Sequence, residues 1–243
     1  MSENRYCYRH PHPAVATDCV VFSYGGKKLR VLLIERRQGA YKGSWALPGG
    51  FMNIDETAEE GALRELAEET NVRNVCLEQL HTFSAVGRDP RERVLSVAYL
   101  ALVRQSDCEV ASGDDAAKAA WHPLDDLPTL AFDHAEIISM AKRRLQETLC
   151  HSPIAFRLLG ETFIMSELQR LYELINETTY DRRNFQKKML ATGFIEARGV
   201  RRTPGKCRTP ALFSFNEGAY LEWQARRMCR NTVAARKVVA PAS

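Results

Sequence analysis

The sequence has no hydrophobic run of the roughly 18 to 20 residues that a membrane-spanning helix needs. Its opening residues, MSENRYCYRH, also lack the apolar core of a secretory signal peptide. We therefore expect no membrane association and a cytoplasmic location.

A cysteine spacing that would indicate a disulfide framework is missing too. The seven cysteines are scattered along the chain without a Cys-x-x-Cys pair, so we expect reduced thiols. Internal repeats and low-complexity segments are also lacking. Hydrophobic residues make up 45% of the chain, charged residues 26% and aromatic residues 9%, which excludes a disordered or collagen-like protein. The composition is that of a globular protein.

Charge is distributed unevenly along the chain. The 243 residues are enough for one large domain or two smaller ones. Residues 1–150 contain 18 basic and 22 acidic side chains, whereas residues 151–243 contain 16 basic and 8 acidic ones. The net charge is therefore −4 in the first part and +8 in the second. This asymmetry predicts that only the second part meets a polyanion.

The first part carries the pattern of a domain with both helices and strands. Apolar runs typical of strands occur at 15–22, 29–34, 80–86 and 94–103, with a short strand or turn at 121–124, and helical periodicity occurs at 58–70 and 134–149. Asp133 is placed to cap the second helix. Pro153 discourages continuation of that helix, so we predict a domain over residues 14–150, after a tail of residues 1–13.

The second part has its own order of elements. We predict helices at 167–176 and from Asp181 to Gly193, then strands at 194–196 and 211–215. Ser166 and Gln169 form a capping-box pattern at the first of these helices. The order of helix, turn, helix and hairpin is that of a winged helix-turn-helix. We assign it to residues 155–216 and expect a helical extension over 217–243.

The most informative stretch is an acidic helix in the first part. Thr57 and Glu60 form a capping box at its start. Glu65, Glu68 and Glu69 follow at spacings of three and four residues, so their carboxylates project from one face of the helix. Hard divalent cations prefer such oxygen ligands. The pattern predicts a Mg²⁺ or Mn²⁺ site suited to a diphosphate substrate. The alternative is an exposed helix held by ion pairs such as that of Glu60 with Arg64.

This stretch resembles the signature of the Nudix hydrolase family, GX5EX7REUXEEXGU, in which U is aliphatic. The matching residues are Gly50, Glu56, Arg64, Glu65, Leu66, Glu68, Glu69 and Val72. Asn71 stands where the family has glycine, and asparagine is the next-best residue for the left-handed backbone expected there. The resemblance implies an α+β fold class: a Nudix α/β/α sandwich with a mixed sheet.

The resemblance also implies roles for these residues. Gly50 would supply a backbone carbonyl near the metal ions, and Glu65, Glu68 and Glu69 would ligate them. Arg64 and Glu56 would be supporting residues. The implied reaction is attack of a metal-activated water on a phosphorus of the diphosphate, with a glutamate of the signature as base.

Arginines cluster in the segment Gly87–Val94. Arg88, Arg91 and Arg93 lie in a loop before a strongly apolar strand, where they could bind a diphosphate through paired hydrogen bonds. A solvated surface hairpin is the alternative. The combination of RDPR with SVAYLAL resembles ADP-ribose pyrophosphatases and their regulatory relatives, which favours substrate binding by these arginines.

The second part carries a candidate DNA-reading helix after Asp181. A helical wheel places Phe185 and Met189 on one side. The polar residues expected to meet DNA from this helix and from the following basic loop are Arg183, Asn184, Lys187, Lys188, Arg201 and Arg202. The segments ELQRLYE, RRNFQKKML and ATGFIE resemble the C-terminal domain of Nudix-related transcriptional regulators. That resemblance implies a homodimer on a double-stranded DNA operator, responsive to ADP-ribose or a related nucleotide.

Three functions remain open at this point. The first is a hydrolase of ADP-ribose-like nucleoside diphosphate derivatives that also binds operator DNA. The second is a repressor whose Nudix domain only senses its ligand. In the third, a plain Nudix hydrolase uses its basic part for dimerisation or as a cover over the substrate.

Overall fold

The computed structural model describes residues 8–25, 27–108, 110–111, 116–149, 152–200 and 210–225. The chain divides into two compact units, Met1–Cys150 and His151–Ser243. No helix among the described residues is both long enough and apolar enough to cross a membrane.

The first unit contains seven strands and two α-helices within its described residues. They are β1 (Ala14–Gly25), β2 (Lys28–Arg36), β3 (Trp45–Ala46), β4 (Gly49–Phe51), α1 (Ala58–Thr70), β5 (Glu78–Phe83), β6 (Val94–Arg104), β7 (Ala116–Pro123) and α2 (His134–Leu149). The strand or turn expected at 121–124 is the end of the longer β7, which pairs with β2.

The strands of this unit form one mixed sheet with β1 at its centre. The order is β3-β2-β1-β6-β5, with β4 paired to β1 and β7 paired to β2. The β1 to β6 pairing is parallel, whereas β2 and β4 run antiparallel to β1. Residues Cys19–Phe22 of β1 are fully buried, as expected for a strand covered on both faces. The predicted mixed sheet is confirmed.

The two helices cover opposite faces of the sheet. Cys19 and Val21 of β1 pack with Ala62 and Leu66 of α1. Successive side chains of a strand point to opposite faces, so Asp18 faces the other way, where it contacts His134 at the start of α2. This is the α/β/α arrangement expected from the sequence.

Local capping determines where α1 begins and ends. Glu60 donates its backbone N–H to Thr57 Oγ1 at 3.2 Å, and Thr57 N–H donates to Glu60 Oε2 at 2.8 Å. The helix is followed by Asn71 with φ of 60°, in the left-handed region that asparagine tolerates. The predicted capping box and left-handed asparagine are both confirmed.

The second unit has the element order of a winged helix. It contains β8 (Phe163–Ile164), α3 (Met165–Asn176), α4 (Arg182–Ala191), β9 (Ile195–Val200) and β10 (Ala211–Phe215). The strands form an antiparallel sheet in the order β8-β10-β9. Residues 217–225 are helical as well. The later part of the expected extension, residues 226–243, lies outside the described residues.

The capping prediction for α3 was wrong. The helix starts at Met165, and Glu167 Oε2 accepts from Ile164 N–H at 3.0 Å. Gln169 donates instead to Glu173 Oε1 at 2.9 Å and to the Tyr180 carbonyl at 2.8 Å. Its amide therefore braces the turn between α3 and α4.

Candidate functional site

The Arg64 guanidinium binds three carboxylates, two from α1 and one from the loop that precedes it. Its Nε and Nη2 donate to Glu56 Oε2 and Oε1 at 3.0 and 2.7 Å. Its Nη1 donates to Glu65 at 2.7 Å and to Glu68 at 3.2 Å. A bidentate arginine–carboxylate pair defines both position and orientation. Because these bonds favour its charged form, the pKa of Glu56 falls to about 2.

Glu69 lies deeper than the other acids. Its Oε2 accepts from the Gly49 backbone N–H at 2.9 Å. Burial raises the pKa of Glu69 to about 8, and Glu65 and Asp18 add to the rise through repulsion. Burial also raises the pKa of Glu65. Glu68 is exposed. The site thus contains carboxylates whose ionised forms a nearby cation would stabilise.

The donor set fits a hard divalent cation. Gly50 lies so close to α1 that a Cβ there would approach the Glu65 carboxyl to 2.5 Å, so any larger residue at this position would require the Glu65 side chain to move. Carboxylate and backbone oxygens are the ligands that Mg²⁺ and Mn²⁺ favour. Within the described part of the chain, however, no three His, Cys, Asp or Glu side chains are already gathered as a metal site. Arg64 and the Gly49 N–H occupy the carboxylates in this structure.

The three arginines of the loop between β5 and β6 have different surroundings. Arg88 is buried, and its Nε and Nη2 donate to the Asp133 carboxylate at 2.9 and 2.7 Å. Its Nη2 also lies 3.3 Å from Asp18 Oδ2. Asp133 directly precedes α2, and its backbone carbonyl accepts the first helical bond from Ile137 N–H at 3.2 Å, so it occupies the predicted N-cap position while its carboxylate accepts from Arg88. Arg93, by contrast, is exposed and donates to the Ala85 carbonyl at 3.0 Å.

Arg91 joins a group of aromatic and cationic side chains that we call the aromatic–arginine cluster: Arg36, Tyr41, Phe51, Arg91 and Phe132. The Arg91 guanidinium carbon lies 5.6 Å from the ring centroids of both Phe51 and Phe132. The Arg36 guanidinium carbon lies 4.9 Å from the Phe132 centroid. Asp89 holds Arg91 with two further bonds of 3.0 and 2.7 Å.

Sequence reasoning found only Arg91 of this cluster. Arg36, Phe51 and Phe132 belong to three separate segments, and no spacing rule joins them. One available signal was Phe51, which directly follows the glycine pair of the Nudix signature and is 40% exposed.

In the second unit, α4 turns a polar face to solvent. Asp181 accepts from the Asn184 N–H at 2.9 Å and caps the helix as predicted. Phe185 is buried, with its ring centroid 5.4 Å from that of Tyr172 and 5.5 Å from that of Tyr180. The predicted DNA-contacting residues of this helix are all exposed: Arg183, Asn184, Lys187 and Lys188. Arg201 and Arg202 lie outside the described residues.

Both units match known domain families. Residues 12–141 match the NUDIX domain, and residues 155–215 match the NrtR DNA-binding winged helix domain. These ranges correspond to the two parts of the chain that differ in charge and in fold.

Similar proteins include regulators and an enzyme. The ADPR responsive transcriptional repressor NtrR of Acinetobacter baylyi is 30% identical over 210 residues, which cover 85% of this chain and 83% of that protein. The ADP-ribose pyrophosphatase of Methanocaldococcus jannaschii is 42% identical over 127 residues, covering 52% of this chain and 72% of the enzyme. Shewanella oneidensis NrtR, solved with a 27mer DNA, shares 31% identity with a TM-score of 0.71, covering 84% of this chain and 94% of that one.

Proposed function

This chain belongs to the Nudix family, and from that premise we propose that it is a nucleotide-responsive, DNA-binding transcriptional regulator. Its Nudix domain, residues 14–150, would bind a nucleoside diphosphate derivative such as ADP-ribose. Its winged helix domain, residues 155–216, would bind double-stranded operator DNA. One observation carries the proposal: a single chain joins an acidic, arginine-lined site to a helix whose exposed face is cationic.

The exposed face of α4 supports the DNA-binding part. Burial of Phe185 anchors one side of the helix in the domain, so Asn184, Lys187 and Lys188 are free to meet a groove and its flanking phosphates. Amides read base edges, whereas lysines neutralise phosphates. We expect a homodimer on the DNA, because two winged helices related by a twofold axis match a palindromic operator.

We further propose that the Nudix domain hydrolyses its ligand. The observation that favours this activity is that all the acids of the Nudix signature are present and that Arg64 links Glu56 to Glu65 and Glu68. Gly50, Glu65, Glu68 and Glu69 would hold Mg²⁺ or Mn²⁺, which would offset the diphosphate charge and lower the pKa of the attacking water. A glutamate of the signature would accept the proton of that water.

The arginines of the β5 to β6 loop take different parts in ligand binding. Arg91 would contact the nucleotide, because its side chain is 43% exposed and lies against two aromatic rings. Arg93 is exposed and could reach a ligand group at the edge of the loop. Arg88 is only 5% exposed, so its contribution would come through the ion pairs that hold the loop in place.

One experiment tests these proposals together. The full-length protein is mixed with DNA from upstream of its own operon in a gel-shift assay, with and without ADP-ribose. A parallel assay follows monophosphate products in the presence of Mg²⁺ or Mn²⁺. DNA binding that ADP-ribose weakens supports the regulator, and product formation adds the hydrolase. DNA binding without turnover indicates a sensor only. Turnover without salt-sensitive DNA affinity would indicate a plain hydrolase and reject the regulator.

A further inference from the structure

The segment 47–50, which we call the glycine turn, connects β3 to β4 and is held by one side chain from each helix of the first unit. The Gly49 N–H donates to Glu69 Oε2 of α1 at 2.9 Å. The Leu47 N–H donates to Nδ1 of His134, the first residue of α2, at 2.8 Å. Because the two helices cover opposite faces of the sheet, these bonds hold the turn from both sides.

Further contacts fit the glycine turn tightly against β1. The Pro48 carbonyl accepts from the Cys19 N–H at 2.8 Å, and proline has no N–H of its own to donate. A Cβ at Gly49 would lie 2.0 Å from the Thr17 carbonyl oxygen. The turn therefore cannot move closer to β1. A small number of hydrogen bonds keep it from moving away, and the bond to His134 is one of them.

The His134 ring connects this turn to a buried carboxylate. Nδ1 can accept a hydrogen bond only when it carries no proton, so the neutral ring carries its proton on Nε2. Nε2 lies 3.4 Å from Oδ1 of the buried Asp18. The other oxygen of that carboxylate accepts from Ser96 Oγ and from Arg88 Nη2. Burial lowers the pKa of His134, which favours the neutral ring that the Leu47 bond requires.

Two different consequences follow from the bond between His134 and Leu47. The first concerns stability, because a buried N–H without an acceptor is costly. The second concerns the proposed metal ligands. Gly50 lies three residues after Leu47, and Glu69 binds the turn directly, so a shift of the turn would displace two members of the ligand set. Stability and metal affinity can be measured separately.

We propose that His134 is a positioning residue for the metal site: its bond to the Leu47 N–H fixes the glycine turn, so that the Gly50 carbonyl and the Glu69 carboxylate meet a divalent cation in one geometry. This inference rests on the proposed function, which places a metal ion in the Nudix domain. Residues that orient metal ligands without touching the ion typically account for about tenfold to a hundredfold in metal affinity. His134 acts through the backbone, so we expect an effect near the lower end.

Two substitutions separate the roles of the two ring nitrogens. In His134→Asn, the amide oxygen takes the place of Nδ1, since both atoms are bonded to Cγ, and the bond to the Leu47 N–H is kept. In His134→Gln, the longer side chain brings its amide to the place of Nε2, so the contact with Asp18 is kept and the Leu47 bond is lost. His81→Gln is the matched control, because His81 is exposed on β5.

Electron paramagnetic resonance of the full-length protein, titrated with Mn²⁺ alone, measures the metal affinity of each variant. We expect His134→Gln to weaken Mn²⁺ binding about tenfold, whereas His134→Asn and His81→Gln bind Mn²⁺ as tightly as the wild type. A merely structural role would lower the Tm of His134→Gln and leave its Mn²⁺ affinity unchanged, which would overturn the inference. Equal losses of affinity in the two His134 variants, or a larger loss in His134→Asn, would overturn it too.

The wild type provides a test that does not depend on the folding of a variant. Nuclear magnetic resonance of the protein labelled with ¹⁵N in its histidine rings should show His134 with an unprotonated Nδ1. Saturating Mg²⁺ should shift the His134 ring signals, because the turn that the ring holds acquires an ion, and should leave those of His81 in place. A proton on Nδ1, or His134 signals that do not shift, would contradict the inference.

The Mn²⁺ titration also separates the inference from its premise. If the wild type binds Mn²⁺ and His134→Gln binds it equally well, the metal site stands and only the role of His134 is rejected. If the wild type binds no Mn²⁺, the proposed metal site fails and the inference fails with it.

Discussion

Arg88 and Asp133 form a bidentate ion pair in which Nε and Nη2 of the arginine donate to the two carboxylate oxygens at 2.9 and 2.7 Å. The pair ties the β5 to β6 loop to the residue that precedes α2. Each partner adjoins a segment of the aromatic–arginine cluster: Arg88 lies three residues before Arg91, and Asp133 directly follows Phe132. The ion pair therefore keeps the two segments that carry Arg91 and Phe132 close together.

Asp133→Asn should destabilise the first unit. The change leaves the buried Arg88 with the weaker contact to Asp18, so we expect a loss of about 3 kcal/mol in the free energy of unfolding, near the lower end for a broken buried ion pair. Urea denaturation measures it. Asp125→Asn is the matched control, because Asp125 pairs with Lys28 on the surface and should cost less than about 1 kcal/mol. Equal losses in the two variants would contradict the assigned role of the Arg88 pair.

In the Glu69→Gln variant, an added divalent cation should no longer stabilise the folded protein. Added Mg²⁺ or Mn²⁺ at about a hundred times its dissociation constant should stabilise the wild type by about 2.7 kcal/mol. The variant should show little of this gain, because an amide ligates hard cations weakly. Turnover of ADP-ribose should be abolished as well, while gel-shift affinity for DNA stays unchanged. Glu59→Gln, an exposed change on the same helix, should retain both properties. Unchanged turnover in Glu69→Gln would reject its assignment as a metal ligand.

Protonation of Glu56 at low pH should lower the stability of the folded protein. Its pKa is about 2 in the folded protein against an ordinary value of 4.5, so its contribution is complete above about pH 4.5 and disappears as the pH falls through 2. Wild type should therefore melt at a higher temperature than Glu56→Gln at pH 7, and the difference should shrink below pH 4.5. Thermal melts from pH 7 to pH 3 test this. A difference that is constant over this range would show that the ionised Glu56–Arg64 pair does not stabilise the fold.

Removal of both lysine side chains of α4 should weaken DNA binding by a similar factor for every DNA sequence. We expect Lys187→Ala with Lys188→Ala to lower the slope of log affinity against log salt by about 0.9 for each phosphate that these lysines no longer neutralise. Gel shifts over a series of salt concentrations measure this slope. Arg143→Ala, an exposed change on α2, is the control. An unchanged salt slope in the double variant would place the DNA-binding surface elsewhere.

Sequence alone was enough for most local interactions, although the Ser166–Gln169 capping pattern was wrong because α3 begins at Met165. The capping box of Thr57 and Glu60, the left-handed Asn71 and the Asp181 cap depend on residues at most four positions away, and all three were predicted correctly. The residues from Gly50 to Val72 resemble the Nudix signature, and the match to the NUDIX domain confirms the family. The winged helix was also recognised, because its elements follow one another in order.

Only the tertiary structure distinguished the roles of the three loop arginines. They looked equivalent in sequence, yet Arg88 is buried in an ion pair, Arg91 lies on two aromatic rings and Arg93 binds a backbone carbonyl. The partners of Arg88 are Asp18 of β1 and Asp133 just before α2, both distant in sequence. The parallel pairing of β1 with β6 brings Asp18 close to the loop that carries Arg88.

The aromatic–arginine cluster likewise exists only in the folded chain. Arg36 ends β2, Phe51 ends β4, and Phe132 precedes α2, so no local pattern relates them. The sequence by itself determined the identity of the acids and the helix that carries them, because helical periodicity is a property of neighbouring residues. The fold decided which arginine is buried in an ion pair and which lies over aromatic rings, because burial and pairing depend on segments that only the fold brings into contact.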